Sequence, residues 1–233
     1  MHPSVLKVFI GYDPVESVAW HVMAHSILSR SSIPVALIPV NLRNLHDVYG
    51  RDREAKQSNE FSFTRFLVPY LAGYEGFALF FDCDQMLRTD IAELLNAPKM
   101  EPGKAVYVVK HEYEPKDKVK YLGTVQYSYP RKNWSSVVLW DCGHPANAKV
   151  TAEFVNTASA MELHRFLWLE DEQIGSLDVR WNWLVGEYGS APADVKNVHW
   201  TVGGPYFEEY KDADFAEEWF AERERMTYCK QRD

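Results

Sequence analysis

A run of five apolar residues, Phe77–Phe81, limits the possible folds of this chain more than any other segment. A strand with only apolar side chains is typical of the centre of a parallel sheet, where both faces are buried. The run ends at Asp82 and Asp84. Because side chains alternate along a strand, both carboxylates are expected on one face and Cys83 on the other. The segment therefore predicts a buried central strand that ends in two oxygen ligands.

Strand-like and helix-like segments alternate along the chain. Residues 5–10 predict a strand, 16–30 a helix and 34–40 a second strand, which is a β-α-β opening typical of parallel strands. The same patterns predict further elements, namely strands at 105–109, 136–140 and 198–202, helices at 63–71 and 149–161, and an acidic helix or helix pair at 207–226. We therefore expect an α/β fold with a mostly parallel central sheet flanked by helices. Ligands of such sheets bind beyond the carboxyl ends of the strands.

Length and charge narrow the class of protein. With 233 residues, the chain is expected to form a single domain over 1–233, with 205–233 as a C-terminal helical extension. The net charge of −8 argues against a protein whose main task is to bind a nucleic-acid backbone. A locally basic nucleotide site stays compatible with this charge.

The cysteines and the hydropathy pattern predict a cytoplasmic location. Cys83, Cys142 and Cys229 form no Cys-x-x-Cys pair, which suits a reducing compartment and gives no sign of a structural zinc site. The sequence contains no apolar run near the roughly 20 residues that span a bilayer, and its first residues do not form a signal peptide.

The acidic pair predicts a metal site. Two hard oxygen ligands on one face suit Mg²⁺ or Mn²⁺, and an added imidazole favours Mn²⁺. A divalent metal neutralises the charge of a diphosphate leaving group. The alternative is that Asp82 and Asp84 only cap a strand or form a turn.

Six segments in order resemble the motifs of GT-A fold glycosyltransferases, in particular glycosyltransferase family 8 and its bacterial relatives. Together they cover roughly residues 5 to 207. Residues 8–13 are similar to the family's first strand and nucleobase loop, 63–69 to the helix before its metal-binding strand, and 77–90 to that strand. Residues 133–139 are similar to the strand that follows, Glu172-Gln173 with 181–183 to the acidic loop, and 199–205 to the C-terminal element.

The resemblance implies a Rossmann-like GT-A fold and a metal site formed by Asp82, Asp84 and His199. For nucleotide-sugar binding it implies that Tyr12 stacks on a uracil-type base and Asp13 accepts from the base or ribose. Further roles in nucleotide-sugar binding fall to Arg65, to Asp82, and to backbone N–H groups of Gly203 and Gly204 near the diphosphate.

Each role has a plainer alternative. Tyr12 and Asp13 also suit an ordinary turn, Arg65 a surface ion pair, and His199 a satisfied polar residue. We expect Trp181 and Trp183 to lie in the core.

The same resemblance places Glu172 and Gln173 beside the transferred sugar as catalytic residues, with Asp171 included because the register is open by one residue. The alternative is an acidic helix start. The chain also departs from the family: glycine follows His199 by four residues instead of three, Pro205 and Tyr206 stand where a phosphate-contacting lysine is usual, and Trp134 replaces an asparagine.

The resemblance implies a metal-dependent, retaining transfer from a nucleotide-sugar, with uridine diphosphate as the expected nucleotide. The expected acceptor is a hydroxyl of a glycan or another molecule. The net charge argues against a nucleic acid as a binding partner but does not exclude it as the acceptor. Two other classes are a nucleotide-sugar-binding module without transfer activity and a nucleotidyltransferase. The latter usually needs a basic, Gly-rich phosphate loop, which residues 11–14 lack.

Overall fold

The computed structural model describes residues 5–54, 57–96, 101–112 and 130–228. Cys229 and the end of the predicted C-terminal extension lie outside the described residues. The strands are β1 (Leu6–Tyr12), β2 (Val35–Asn41), β3 (Phe77–Phe81), β4 (Gln85–Leu87), β5 (Val106–Val109), β6 (Val137–Asp141), β7 (Ile174–Leu177), β8 (Trp183–Leu184) and β9 (Asn197–His199). The α-helices are α1 (Ser17–Leu28), α2 (Val68–Leu71), α3 (Ala92–Asn96), α4 (Ala152–Thr157), α5 (Ala160–His164) and α6 (Ala216–Thr227).

The predicted central strand forms with its predicted bounds as β3. It lies in a six-stranded sheet with the order β2-β1-β3-β6-β5-β7. Strand β1 runs parallel to both β2 and β3, which confirms the β-α-β opening. Strand β7 runs parallel to β5, whereas β6 runs antiparallel to both β3 and β5. The structure therefore confirms an α/β fold whose central sheet is mixed, with parallel pairings in the majority among the described strands.

The register defines two edges of this sheet. Ile10 pairs with Phe81, Phe81 with Val137, and Val109 with Leu177. We call this side, where β1, β3, β5 and β7 end and β6 begins, the carboxyl edge. The opposite side, where Phe77 pairs with Asp141 and Val106 with Ile174, is the amino edge.

A second sheet has the order β4-β9-β8 and was not predicted as such. Strand β4 follows the acidic pair, and β9 pairs with it in antiparallel register, Gln85 opposite His199. The strand predicted at 198–202 ends at His199, because the chain turns there toward Gly203. The small sheet thus brings the C-terminal half of the chain to the end of β3.

Two predicted helices differ from the structure. Residues 149–161 form the two short helices α4 and α5, because Ser159 caps a new helix through a reciprocal capping box with Glu162. In the acidic C-terminal segment, only α6 is a long helix, and a short 3₁₀ helix at Glu208–Tyr210 precedes it. Helix α6 packs on α1, and its Glu222 pairs with His25 of α1 and with Arg30 just after the end of α1.

The core forms on both faces of the large sheet. Residues 78–81 of β3 are fully buried, and so are Trp140 and Trp181. Trp183 is also buried, so the expectation that Trp181 and Trp183 are core residues is confirmed. Among the described residues, no helix is long and apolar enough to cross a membrane.

Candidate metal and nucleotide site

Asp82 and Asp84 lie where β3 leaves the carboxyl edge. The backbone N–H of Asp82 still donates to Ser136 O at 3.0 Å, which continues the pairing of β3 with β6. The carbonyl of Asp84 accepts from Trp200 N at 3.0 Å, which ties the pair to the segment after β9. Asp82, Asp84 and His199 each offer one ligand atom, and these atoms lie within 4.8 Å of one another. We call these three residues the acidic-histidine cluster.

His199 reaches the cluster because β9 pairs with β4. Its Nε2 lies 3.2 Å from Asp84 Oδ1, and its Nδ1 lies 2.8 Å from Asn182 Oδ1. The side chain is almost fully buried. If Nδ1 donates to the amide oxygen, Nε2 presents a lone pair toward Asp84 Oδ1. Two acceptor atoms at this distance repel unless a cation or a proton lies between them, so the geometry fits a metal ligand.

Arg65 forms an ion pair with Asp82. Its Nη1 lies 2.7 Å from Asp82 Oδ1 and also donates to Ser135 O at 3.2 Å. The guanidinium stands over the rings of Phe61 and Phe80, at 5.2 and 5.3 Å from their centroids. Both charged groups are buried, so Arg65 does not form the surface ion pair that was the alternative.

The site carries an excess of buried negative charge. Burial raises the pKa of Asp82 to about 6; the positive charge of Arg65 opposes this rise and the neighbouring Asp84 adds to it. Burial and the carboxylates of Glu16, Asp84, Asp82 and Asp13 raise the pKa of the Cys83 thiol well above its usual value. Asp13, Glu16 and Asp82 are buried, while Arg65 supplies one positive charge. Buried charges need partners of opposite sign, so the donor set fits a bound divalent cation.

Tyr12 and Asp13 lie beside the cluster at the end of β1. The Tyr12 ring contacts Trp20 edge-on, with centroids 6.3 Å apart, and is partly exposed. Asp13 is buried and already accepts two backbone hydrogen bonds, from Val15 N at 2.9 Å and Glu60 N at 3.0 Å. Asp13 therefore builds the turn that positions Tyr12, and its role in binding the base or ribose stays a prediction.

Gly203 and Gly204 follow β9, and aromatic rings explain why both are glycines. A Cβ at Gly203 would lie 2.3 Å from the ring of Tyr210, and one at Gly204 would lie 2.2 Å from the ring of Tyr206. The Tyr206 hydroxyl donates to Glu16 Oε2 at 2.6 Å. Tyr206 therefore uses its one proton on a carboxylate, so it does not replace the family's phosphate-contacting lysine as a donor.

The structure does not bring Glu172 and Gln173 to the cluster. Asp171–Gln173 form a 3₁₀ helix directly before β7. The carbonyl of Gln173 accepts from Ala105 N, and the carbonyl of Glu172 accepts from Lys104 Nζ. Both contacts hold the backbone of these residues near the amino edge, at the opposite end of the strands from Asp82, and their catalytic role stays a prediction. Asp171 is exposed and pairs with Arg131.

Three further residues at the site received no role from the sequence. Asn182 and His111 lie at the carboxyl edge and hydrogen-bond to each other, and Glu16 is buried at the start of α1. The available signal was position: His111 follows a predicted strand at its carboxyl end, and Asn182 stands between two core tryptophans. Neither signal distinguishes a site residue from a buried structural one.

Solved structures share this architecture. The apo structure of the bifunctional glycosyltransferase WbbM superposes with a TM-score of 0.66 at 13% identity, over 96% of this chain and 50% of that one. For the glycosyltransferase GlyE of Streptococcus pneumoniae the TM-score is 0.62 at 12% identity, over 94% and 60%. For the galactosyltransferase LgtC in complex with donor and acceptor sugar analogues it is 0.59 at 11% identity, over 97% and 98%. The chain thus spans half of WbbM and 60% of GlyE.

These similarities and the sheet topology show that the protein has the GT-A fold of glycosyltransferases, with an Asp-x-Asp pair at the end of its central strand. No family model matches the chain. It is 46% identical over 227 residues to Protein CDI of Arabidopsis thaliana, covering 95% of this chain and 87% of that protein. The chain belongs to the same family as Protein CDI.

Proposed function

We propose that the protein is a metal-dependent glycosyltransferase that moves a sugar from a nucleotide-sugar, in our inference a uridine diphosphate sugar, to an acceptor hydroxyl. The observation that carries the proposal is the acidic-histidine cluster at the carboxyl edge, with its ligand atoms within 4.8 Å of one another. In open α/β sheets, ligands bind at this edge.

The residues that would hold the cation are Asp82, Asp84 and His199. Two carboxylate oxygens and an imidazole nitrogen suit Mn²⁺, with Mg²⁺ as the alternative. When bound, such a cation neutralises negative charge on the diphosphate leaving group. The burial of Asp82 and His199 beside Asp84 supports a cation at this position.

The protein's own side chains bind and orient the donor. Tyr12 offers a partly exposed ring at the end of β1 for a base to stack on. Arg65 is held by Phe61 O and Ser135 O and keeps the Asp82 carboxylate in place. Gly203 and Gly204 follow β9, and the rings of Tyr210 and Tyr206 fill the space that a Cβ at these two positions would occupy. A diphosphate contact by these glycines therefore depends on their N–H groups alone.

We further propose retention of the anomeric configuration, in line with the resemblance to family 8. The acceptor hydroxyl then attacks on the face that the diphosphate leaves. The acceptor class and a cytoplasmic location stay predictions.

The test is a donor screen that measures release of nucleoside diphosphate from each nucleotide-sugar, with Mn²⁺ and with a chelator. We expect one donor to be cleaved only with metal, and His199→Ala to lower the rate by at least about a hundredfold. His46→Ala is the matched control, because His46 and Asp47 form an exposed pair at 3.4 Å. Equal rates with chelator would overturn metal dependence, and binding of a donor without turnover with any acceptor would favour a binding module.

The stereochemical part has its own measurement. Proton NMR of the first product from an α-linked donor should show an α-linkage. A β-linked first product would replace the retaining proposal with an inverting one.

A further inference from the structure

We propose that Asn182 is a positioning residue that fixes the His199 imidazole in the tautomer that can bind a metal, and that Ser136 sets the direction of the Asn182 amide. This inference rests on the metal site of the proposed function. It assigns a role to a buried hydrogen-bond chain that runs from the backbone of Asn133 through Ser136 and Asn182 to His199.

The hydrogen-bond chain begins at the carbonyl of Asn133, which can only accept a hydrogen bond. The Ser136 hydroxyl donates to it at 2.7 Å. A hydroxyl has one proton, so toward its other neighbour Ser136 Oγ can only accept. That neighbour is the amide of Asn182, at 2.8 Å. The nitrogen of the Asn182 amide must therefore face Ser136.

This orientation leaves the other end of the amide for His199. With the nitrogen facing Ser136, the amide oxygen faces His199 Nδ1 at 2.8 Å. An amide oxygen only accepts, so the imidazole proton must reside on Nδ1. Nε2 then carries a lone pair directed at Asp84 Oδ1, 3.2 Å away. Metal-bound histidines commonly use the second ring nitrogen in this way, to fix the tautomer and the ring orientation.

His111 supports the same arrangement of the Asn182 amide. Its Nε2 lies 2.9 Å from Asn182 Nδ2, and its Nδ1 contacts the Tyr188 hydroxyl. Burial, with a smaller contribution from His199, lowers the pKa of His111 to about 3, so this ring is neutral. A neutral ring that accepts at Nε2 carries its proton on Nδ1, which is compatible with donation to Tyr188.

Burial makes the hydrogen-bond chain sensitive to a single substitution. Asn182 is fully buried and His199 almost fully, so no solvent is at hand to replace a lost hydrogen bond. A polar group buried without its partner costs free energy or changes its protonation state. We therefore expect the tautomer of His199 to depend on Asn182.

The experiment compares Mn²⁺ affinity by calorimetry, without nucleotide, in the wild type and in two variants of Asn182. Asn182→Leu removes the acceptor at nearly constant size and should weaken Mn²⁺ binding by about ten- to a hundredfold. Asn182→Asp keeps an oxygen acceptor for His199 Nδ1 although it loses the donors to Ser136 and His111, so it should bind Mn²⁺ more tightly than Asn182→Leu does.

Asn147→Leu is the matched control for loss of a buried asparagine. Asn147 is also fully buried and donates to the carbonyls of Ala105 and Asp141, near the amino edge. Its substitution should lower stability without changing the affinity for Mn²⁺. Thermal unfolding in metal-free buffer identifies variants that fail to fold, and if Asn182→Leu is among them, Asn182→Ala takes its place with the same expected loss of Mn²⁺ affinity.

A second readout does not need the metal. In wild-type protein labelled with ¹⁵N-histidine, the His199 signals should show a protonated Nδ1 and an unprotonated Nε2, and this pattern should be lost in Asn182→Leu. Equal Mn²⁺ affinity of wild type and Asn182→Leu, or a wild-type proton on Nε2 alone, would overturn the role of Asn182. A wild type that binds no Mn²⁺ would instead overturn the metal site, and the inference with it.

Discussion

Arg65 and Asp82 form a 2.7 Å ion pair although both side chains are almost completely buried. The pair connects the 3₁₀ helix before α2 to the end of the central strand. It orients one carboxylate of the acidic-histidine cluster and partly offsets the negative charge there. The same contact therefore affects both the stability of the fold and the chemistry of the site.

Removing the cation of this pair should be strongly destabilising. Arg65→Met leaves the Asp82 carboxylate buried without its partner, which typically costs about 3–5 kcal/mol. The double variant Arg65→Met/Asp82→Asn should be more stable than Arg65→Met alone. Urea unfolding with chelator measures these differences. Lys211→Met is the control, because Lys211 and Glu208 form an exposed pair at 2.6 Å whose loss should leave the stability nearly unchanged. Wild-type stability of Arg65→Met would refute this account.

Tyr12 should contribute to nucleotide binding through its ring. Loss of stacking on an aromatic face costs about 1–3 kcal/mol by analogy with base stacking. Tyr12→Ala should therefore weaken binding of the free nucleotide by roughly ten- to a hundredfold, measured by calorimetry. Tyr70→Ala is the control, since Tyr70 is a 40% exposed tyrosine on α2 that contacts Tyr74. Unchanged affinity in Tyr12→Ala would move the base to another position.

The position of the 3₁₀ helix Asp171–Gln173 leads to a prediction opposite to the one that the resemblance implies. Glu172 and Gln173 lie at the amino edge, so Glu172→Gln and Gln173→Glu should each keep kcat within about twofold of the wild type. Glutamate at 173 retains the side-chain oxygen that accepts from Glu170 N. A loss of kcat beyond about tenfold in a folded variant would restore the catalytic role that the resemblance implies.

Glu222 should make stability depend on pH in the acid range. Burial alone would raise its pKa, but hydrogen bonds from Arg30, Arg225 and His25 lower the pKa from 4.5 to about 2. A lowered folded-state pKa stabilises the fold above the unfolded value of 4.5, and this contribution is lost as the pH falls toward 2. Glu222→Gln should thus cost about 3 kcal/mol at neutral pH and progressively less below pH 4.5.

Urea unfolding from pH 7 to pH 3 tests this dependence, with Glu224→Gln, an exposed glutamate of the same helix, as the control. The difference between wild type and Glu222→Gln should shrink on the acid side only. A difference that stays constant with pH would mean that packing of the side chain, and not its charge, holds α6 on α1.

Gly11 should tolerate no side chain. A Cβ at this position in β1 would lie 2.3 Å from the Phe61 ring, which is buried and stands beside Arg65. Gly11→Ala should destabilise by about 1–3 kcal/mol, as overpacked core substitutions do. At Gly50 no atom lies within 4 Å of a new Cβ, so Gly50→Ala should not lower the stability of the fold. Thermal unfolding of the two variants separates the cases, and equal midpoints would contradict the overlap.

Much of the fold was predictable because its signals are local. The bounds of β3 follow from five apolar residues in a row, and the parallel pairing of β1 with β2 follows from a strand-helix-strand order. The break at Ser159 was also visible as a capping box with Glu162, but the apolar spacing around it favoured one continuous helix. Strands of two or three residues, such as β8 and β4, are too short to show a periodicity.

The α/β class, the central strand and the acidic pair at its end follow from the residue order alone, because side-chain alternation and apolar runs act between near neighbours in the chain. Which distant groups meet depends on the folded arrangement of the strands. Asn197 and Gln85 are 112 residues apart yet hydrogen-bond at 2.6 Å, and the pairing of β4 with β9 brings His199 to Asp84. Strand pairing likewise placed Glu172 at the amino edge. The pairing of strands that lie far apart in the chain depends on contacts that form only when the whole chain folds.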